Sequence, residues 1–312
     1  MNEQAGAGLR VLVPTDGSTV SNEAMPYAQS LLDPGGSLTL LTVLLDHQTY
    51  RHVAGPLGET IEDIERGIRR NTARLLSHLA DSILTNNSGL EIATAIEYGD
   101  PADTIIQFAS DGEFDLIVMA THGRGTMGRF AFGSVADRVA RTAAVPVLLV
   151  RATGRESPLR RTEFRRILTL LDTSALSAQS IPVTRRLAAH LDLPVEVLTV
   201  VDAGTTSDPF LGVATPGTGD FYAEFMRSVH DDTSTAQAHA MEALEAGGIE
   251  AHSTVVEGPV VPAILGALLP SDLVVLTSHG RGGLRRWVLG SVAEKILRSA
   301  PTPLLLVRLP SI

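Results

Sequence analysis

One segment of this chain occurs twice. Ala120 to Gly123 is followed after nine residues by Gly133-Ser134, and Thr277 to Gly280 is followed after nine residues by Gly290-Ser291. Each copy comes after a short aliphatic run, Asp115 to Met119 and Asp272 to Leu276. A glycine loop that leaves the carboxyl end of a strand and opens a helix with a Gly-Ser pair turns unpaired backbone N–H groups toward an anion, and phosphate is the natural guest. The copies keep register: 157 positions (280 − 123) separate Gly123 from Gly280, and the same interval separates Val43 from Val200, Gly133 from Gly290 and Pro146 from Pro303, while Asp16 and Asp172 lie 156 apart. With 312 residues, each copy has the length of a whole domain. The expected division is 1–150 and 166–312, joined by a polar, arginine-rich linker over 151–165.

Within each half, short aliphatic runs alternate with helically spaced stretches. The first half predicts strands at Leu9 to Pro14, Ser37 to Leu44, Leu90 to Glu97, Asp115 to Ala120 and Pro146 to Val150, with helices at Asn22 to Leu32, Thr60 to Leu84, Pro101 to Ser110 and Ser134 to Thr142. The second predicts strands at Arg166 to Leu171, Val195 to Val201, Glu250 to Val256, Asp272 to Leu276 and Pro303 to Val307, with helices at Ser177 to Leu191, Asp220 to Ala246, Val260 to Leu269 and Ser291 to Ser299. Near-continuous aliphatic strands connected by helices imply an α/β fold, two tandem domains each with a five-stranded parallel sheet and helices on both faces.

Composition narrows the function. A formal charge of −10 argues against nucleic acid as a partner, so any anion site is local. Lys295 is the only lysine, which removes the phosphate-binding loop that depends on a lysine. There is no cysteine, hence no disulfide framework, thiolate metal site or cysteine nucleophile, and no histidine spacing identifies a metal site. With neither a leader-like start nor an apolar run long enough for a bilayer, the chain reads as cytoplasmic and without a membrane partner.

In an open parallel sheet, ligands bind outside the carboxyl ends of the strands, where the strand order reverses. Three features converge there. Asp16 closes the first strand, Val43 lies in the second, and the fourth leads into the Gly123 loop. A carboxylate for hydroxyls or a base amine, an apolar wall for a flat ring and amides for phosphate describe a nucleotide site. Asp16 and Asp172 have a competing reading as helix caps.

These residues resemble the universal stress protein family in its tandem two-domain form, across essentially the whole chain. The family's ATP-binding members carry G-x-x-G, nine residues, then G-[S/T], after a first strand that ends in aspartate. The resemblance implies strand order 3-2-1-4-5, ATP as cofactor with Mg²⁺ allowed for, and ligand roles for Asp16, Val43, Gly123, Gly133 and Ser134 and for Asp172, Val200, Gly280, Gly290 and Ser291. It extends to their neighbours Pro14, Thr15, Met119, Ala120, His122, Arg124 and Val135, and to Leu171, Thr277, His279, Arg281 and Val292. Ala120 and Thr277 replace the motif's first glycine, and Thr173 stands where the first half has Gly17. Gly17 suits positive φ and threonine does not, so the first site is expected to bind more tightly.

The expected function is ATP-dependent stress-response regulation through conformation or interaction, with a protein partner or homodimer as its route of action. No residue is assigned a catalytic role, because no repeated acid/base pair or activated nucleophile is present. The alternatives are a slow ATPase or phosphotransferase, and an interaction module that works without nucleotide.

Overall fold

The computed structural model describes residues 8–32, 35–45, 61–86, 89–121, 133–154, 162–202, 218–277 and 289–308. The chain divides into two units, Met1–Glu163 and Phe164–Ile312.

In the first unit, β1 (Arg10–Pro14) leads through α1 (Thr19–Asn22) and α2 (Met25–Ser30) to β2 (Ser37–Leu44). α3 (Ile61–Asn86), β3 (Glu91–Tyr98), α4 (Pro101–Asp111), β4 (Leu116–Thr121), α5 (Ser134–Thr142) and β5 (Val147–Arg151) follow. The sheet is parallel with order β3-β2-β1-β4-β5. β1 therefore pairs with β2 on one side, Val13 beside Leu40, and with β4 on the other, Leu12 beside Ile117. Leu12, Leu38, Leu40, Ile117 and Leu148 are fully buried, because aliphatic side chains on both faces of these strands meet helices. β3 is an edge strand and largely exposed.

The second unit repeats the plan with β6 (Arg166–Leu170), α6 (Ser180–Leu191), β7 (Val195–Val201), α7 (Thr218–Glu245), β8 (Ala251–Glu257), α8 (Val260–Ala267), β9 (Asp272–Thr277), α9 (Ser291–Ser299) and β10 (Leu304–Val307). Its parallel sheet reads β10-β9-β6-β7-β8, the same order in reverse. Below its central strand lies an ion pair. Arg166 donates to both oxygens of Asp272 at 3.0 and 2.8 Å, and the Asp272 side chain is 0% exposed. In the first unit Asp115 instead accepts the backbone N–H of Arg10 at 3.0 Å.

One expected element starts late. The helix anticipated over Asn22 to Leu32 is α2, Met25–Ser30, and a separate short helix that was not anticipated, α1, ends at Asn22, with Glu23 and Ala24 between them. Pro26 has no N–H and its ring excludes the carbonyl of Asn22, so one helix cannot run through. The chain closes α1 with tight bonds, Glu23 N–H to Val20 O and Ala24 N–H to Ser21 O, and restarts. Ser18 caps α1, its Oγ accepting from the Ser21 N–H at 3.1 Å.

Candidate functional site

Both central strands, β1 and β6, stand where the strand order reverses, and the residues after them form the candidate site. Pro14 is the buried end of β1. Thr15 continues the ladder: its N–H donates to Leu41 O at 2.8 Å, and Thr42 Oγ1 donates to its carbonyl at 2.7 Å. Its own hydroxyl donates to Asn22 Oδ1 at 3.0 Å and accepts the Gly17 N–H at 3.0 Å.

Asp16 is thereby turned outward and is exposed. Its Oδ1 accepts the Ser18 N–H at 2.9 Å and the Ser21 hydroxyl at 2.7 Å. Burial pushes this carboxyl up, but the hydrogen bonds from Ser18 and Ser21 outweigh it and hold the group below its ordinary value. Asp16 is thus ionised near neutrality, and both described bonds use Oδ1, leaving Oδ2 for a further donor. The helix cap is Ser18, so Asp16 shapes the turn without being the cap itself.

The second unit builds the turn with the same serines in different bonds. Leu171 N–H donates to Leu198 O at 3.0 Å, continuing β6 as Thr15 continues β1. Asp172 Oδ1 accepts the Ser174 N–H at 2.9 Å and the Ser174 hydroxyl. Ser177, the counterpart of Ser21, donates to the backbone carbonyl of Asp172 at 2.6 Å. Gly17 has φ +79°, whereas the positive-φ residues other than glycine among those described are Glu113 and Asp192. Thr173 consequently does not take the strained conformation expected of it, because the second turn follows another path. Backbone strain at Thr173 therefore gives no reason for the second site to bind more weakly than the first.

Val43 and Val200 are half-buried near the carboxyl ends of β2 and β7, in register with Glu97 and Val256. Met119 is buried and Ala120 half-buried on β4, and Thr277 is buried at the end of β9. Gly133 and Gly290 are the N-caps of α5 and α9, and neither supplies a side-chain cap. Their carbonyls accept from Asp137 and Glu294 at 2.9 and 2.8 Å, so the helices start at Ser134-Val135 and Ser291-Val292, and the glycine caps themselves put no side chain over those N–H groups. At φ −62° and −57° neither glycine is required by its dihedral. What glycine provides is the absence of a Cβ where an anion would approach.

His122, Gly123, Arg124, His279, Gly280 and Arg281 lie outside the described residues. An open groove of about 680 Å³ beside α4, lined by Glu97, Asp103 and Asp111 among others, is acidic and does not suit phosphate. Among the described residues no three His, Cys, Asp or Glu gather as a metal cage, and no helix is long and apolar enough to cross a membrane. The serine pairs of the turns, and the buried Glu23 behind the first, were not anticipated from sequence. The recurring Ser two and five residues after each aspartate was the available signal for the former.

The model of the universal stress protein family matches residues 9–151 and again 163–308. A universal stress protein of Mycolicibacterium smegmatis is 24% identical over 316 residues, covering 98% of this chain and 99% of that protein. One from Methanocaldococcus jannaschii is 31% identical over 147 residues, 47% of this chain and 84% of that protein. Among solved structures, a universal stress protein from Archaeoglobus fulgidus superimposes with TM-score 0.63 at 18% identity, over 96% of this chain and 98% of that one.

Proposed function

Because the chain belongs to the universal stress protein family, we propose that it binds ATP at the carboxyl edge of its sheets and acts as a regulator through the conformation or interaction the nucleotide favours. The observation that carries this reading is the pair of glycine-capped helices, α5 and α9, each in the same unit as an aspartate turn at the point of strand reversal. Free N–H groups and the positive end of the helix dipole suit phosphate oxygens. The open oxygen of Asp16 suits a ribose hydroxyl or a base amine, and Val43 and Met119 supply an apolar wall. The donor set therefore fits a nucleotide, whose Mg²⁺ would arrive with the phosphates and not in a protein cage. Stress response, a homodimer and a protein partner are part of the same proposal.

Calorimetric titration of the full chain with ATP tests it. Binding in the micromolar range, lost when both glycine caps are replaced by aspartate, is expected. Heat indistinguishable from dilution for the wild-type chain refutes the assignment.

A further inference from the structure

Glu23 stands directly behind the Asp16 turn and is 8% exposed. Its carboxylate is filled from far along the chain. Oε2 accepts the Thr153 N–H at 2.7 Å and the Thr153 hydroxyl at 3.1 Å, and Oε1 accepts the Gly154 N–H at 2.7 Å. Two successive N–H groups thus converge on one carboxylate, and Gly154 then turns the chain onward at φ +72°, a left-handed conformation that suits glycine. Thr153 and Gly154 are the first residues beyond β5 and Ala152, where the chain departs for the second unit. Farther along that connection, the Thr162 N–H donates to Pro26 O at 3.4 Å, on α2 next to Glu23.

Glu23 is joined to Asp16 by a short series of bonds. Asp16 Oδ1 holds the Ser21 hydroxyl, Ser21 lies in α1, and the N–H of Glu23 closes that helix on Ser21 O and Val20 O. A shift of the Asp16 turn would have to move a four-residue helix whose far end is the carboxylate gripping the departing chain. The second unit has no glutamate at the corresponding position: Glu23 is seven residues after Asp16, and seven residues after Asp172 stands Gln179, an exposed amide.

We propose that Glu23 is a positioning residue that couples occupancy of the Asp16 site to the connection between the units, with Thr153 and Gly154 as the receiving end. This rests on the reading of the Asp16 edge as a nucleotide site and adds its output. Nucleotide that engages Asp16 tightens the grip of Glu23, and a tighter grip strengthens nucleotide binding by the same factor, because coupling between two sites is reciprocal.

The experiment is amide hydrogen exchange on the full chain, resolved at Thr153 and Gly154, with and without saturating ATP, beside calorimetry on the same samples. In the wild type ATP is expected to slow exchange of both amides about tenfold, within the usual range of coupling between sites. Glu23→Gln weakens the acceptor, and Gly154→Pro removes one donor and, because proline is locked near φ −65°, also opens the left-handed turn, both on the linker side and without touching α1. In both variants exchange at Thr153 should become fast and indifferent to ATP, and ATP affinity should fall by the factor by which ATP slows exchange in the wild type, about tenfold. A purely structural Glu23 would change basal exchange but leave its ATP dependence. ATP binding with unchanged exchange at Thr153 and Gly154 overturns the coupling and spares the nucleotide reading. Absence of ATP binding by the wild type overturns both.

Discussion

Exchanging the two turn residues tests why the units differ. Gly17 has φ +79°, and a Cβ there would lie 2.3 Å from Leu75 Cδ2. For Gly17→Thr the backbone cost is roughly 1–3 kcal/mol, as for other residues held in sparsely populated regions. The contact adds less, because Leu75 is 36% exposed and its tip can swing outward at about 0.5–1.5 kcal/mol. Together these destabilise the first unit by about 1.5–4.5 kcal/mol. Native-state hydrogen exchange of the β1 amides against those of β6 is the appropriate assay, since a chain of two units need not unfold in one step. At 1.4 kcal/mol per decade, β1 exchange should accelerate roughly 12- to 1600-fold while β6 is unchanged. Adding Leu75→Ala should recover only the contact share. Exchange within about twofold of wild type would refute the backbone argument on the same scale, and complete rescue by Leu75→Ala would transfer the whole cost to the contact. The reciprocal Thr173→Gly should bring no gain and cost about 0.4–1 kcal/mol in chain entropy.

Asp172→Ala isolates the first ligand site. In that background Gly133→Asp should weaken ATP by more than about tenfold, since it places a side chain and a negative charge where the helix offers N–H groups; unchanged calorimetric affinity would remove α5 from the site. Arg166→Met leaves the Asp272 carboxylate buried without its guanidinium and should destabilise the second unit by roughly 3–5 kcal/mol in denaturant titration. Arg10→Met should cost only about 1 kcal/mol, the scale of its position 5.4 Å above the Phe114 ring, because Asp115 accepts a backbone N–H that the substitution keeps. Equal losses would contradict the distinction. For Asp16 the folded carboxyl is held below its ordinary value, so its stabilisation is complete above the unfolded pKa of about 4 and vanishes as pH falls through the lower folded value. The stability gap between wild type and Asp16→Asn should be constant from neutral pH to about pH 5 and close below about pH 4; a gap that widens in acid would reverse the sign of that reasoning.

The strands were legible because each is a short aliphatic run ended by Gly, Pro, Asp or Asn, and burial on both faces demands such runs of the central strands. The constant interval between the two halves was enough to see that one plan is used twice. The break at Pro26 was also written in the sequence, as a proline four residues after Asn22, but helical spacing across it masks the signal. Thr173 misled for a different reason. Residue identity at one position of a turn does not fix its φ when the neighbours can rearrange, and Ser177 bonds the backbone of Asp172 where Ser21 bonds the carboxylate of Asp16. Glu23 was illegible, because its partners Thr153 and Gly154 are distant in sequence and belong to no motif. Of the candidate site residues, those on strands lie toward the carboxyl ends of their strands and Gly133, Ser134, Gly290 and Ser291 at the starts of α5 and α9. The glycine-loop residues His122 to Arg124 and His279 to Arg281 remain assigned by resemblance.

The strand order has a consequence for how the chain is made. β1 is the centre of its sheet, yet it emerges first from the ribosome, and its second neighbour, β4, begins about a hundred residues later, as the Arg10 to Asp115 separation of 105 shows. At synthesis rates of about 5–20 residues per second, one side of an apolar strand therefore waits roughly 5–20 s for its partner, although β2 covers the other side early. The second unit imposes the same delay, since β6 must await β9. During each interval the nascent chain presents an open, aliphatic pairing edge. The burden on cellular chaperones is thus greatest while β1 awaits β4 and while β6 awaits β9, and slowing translation between β2 and β4 would prolong the first of these exposures.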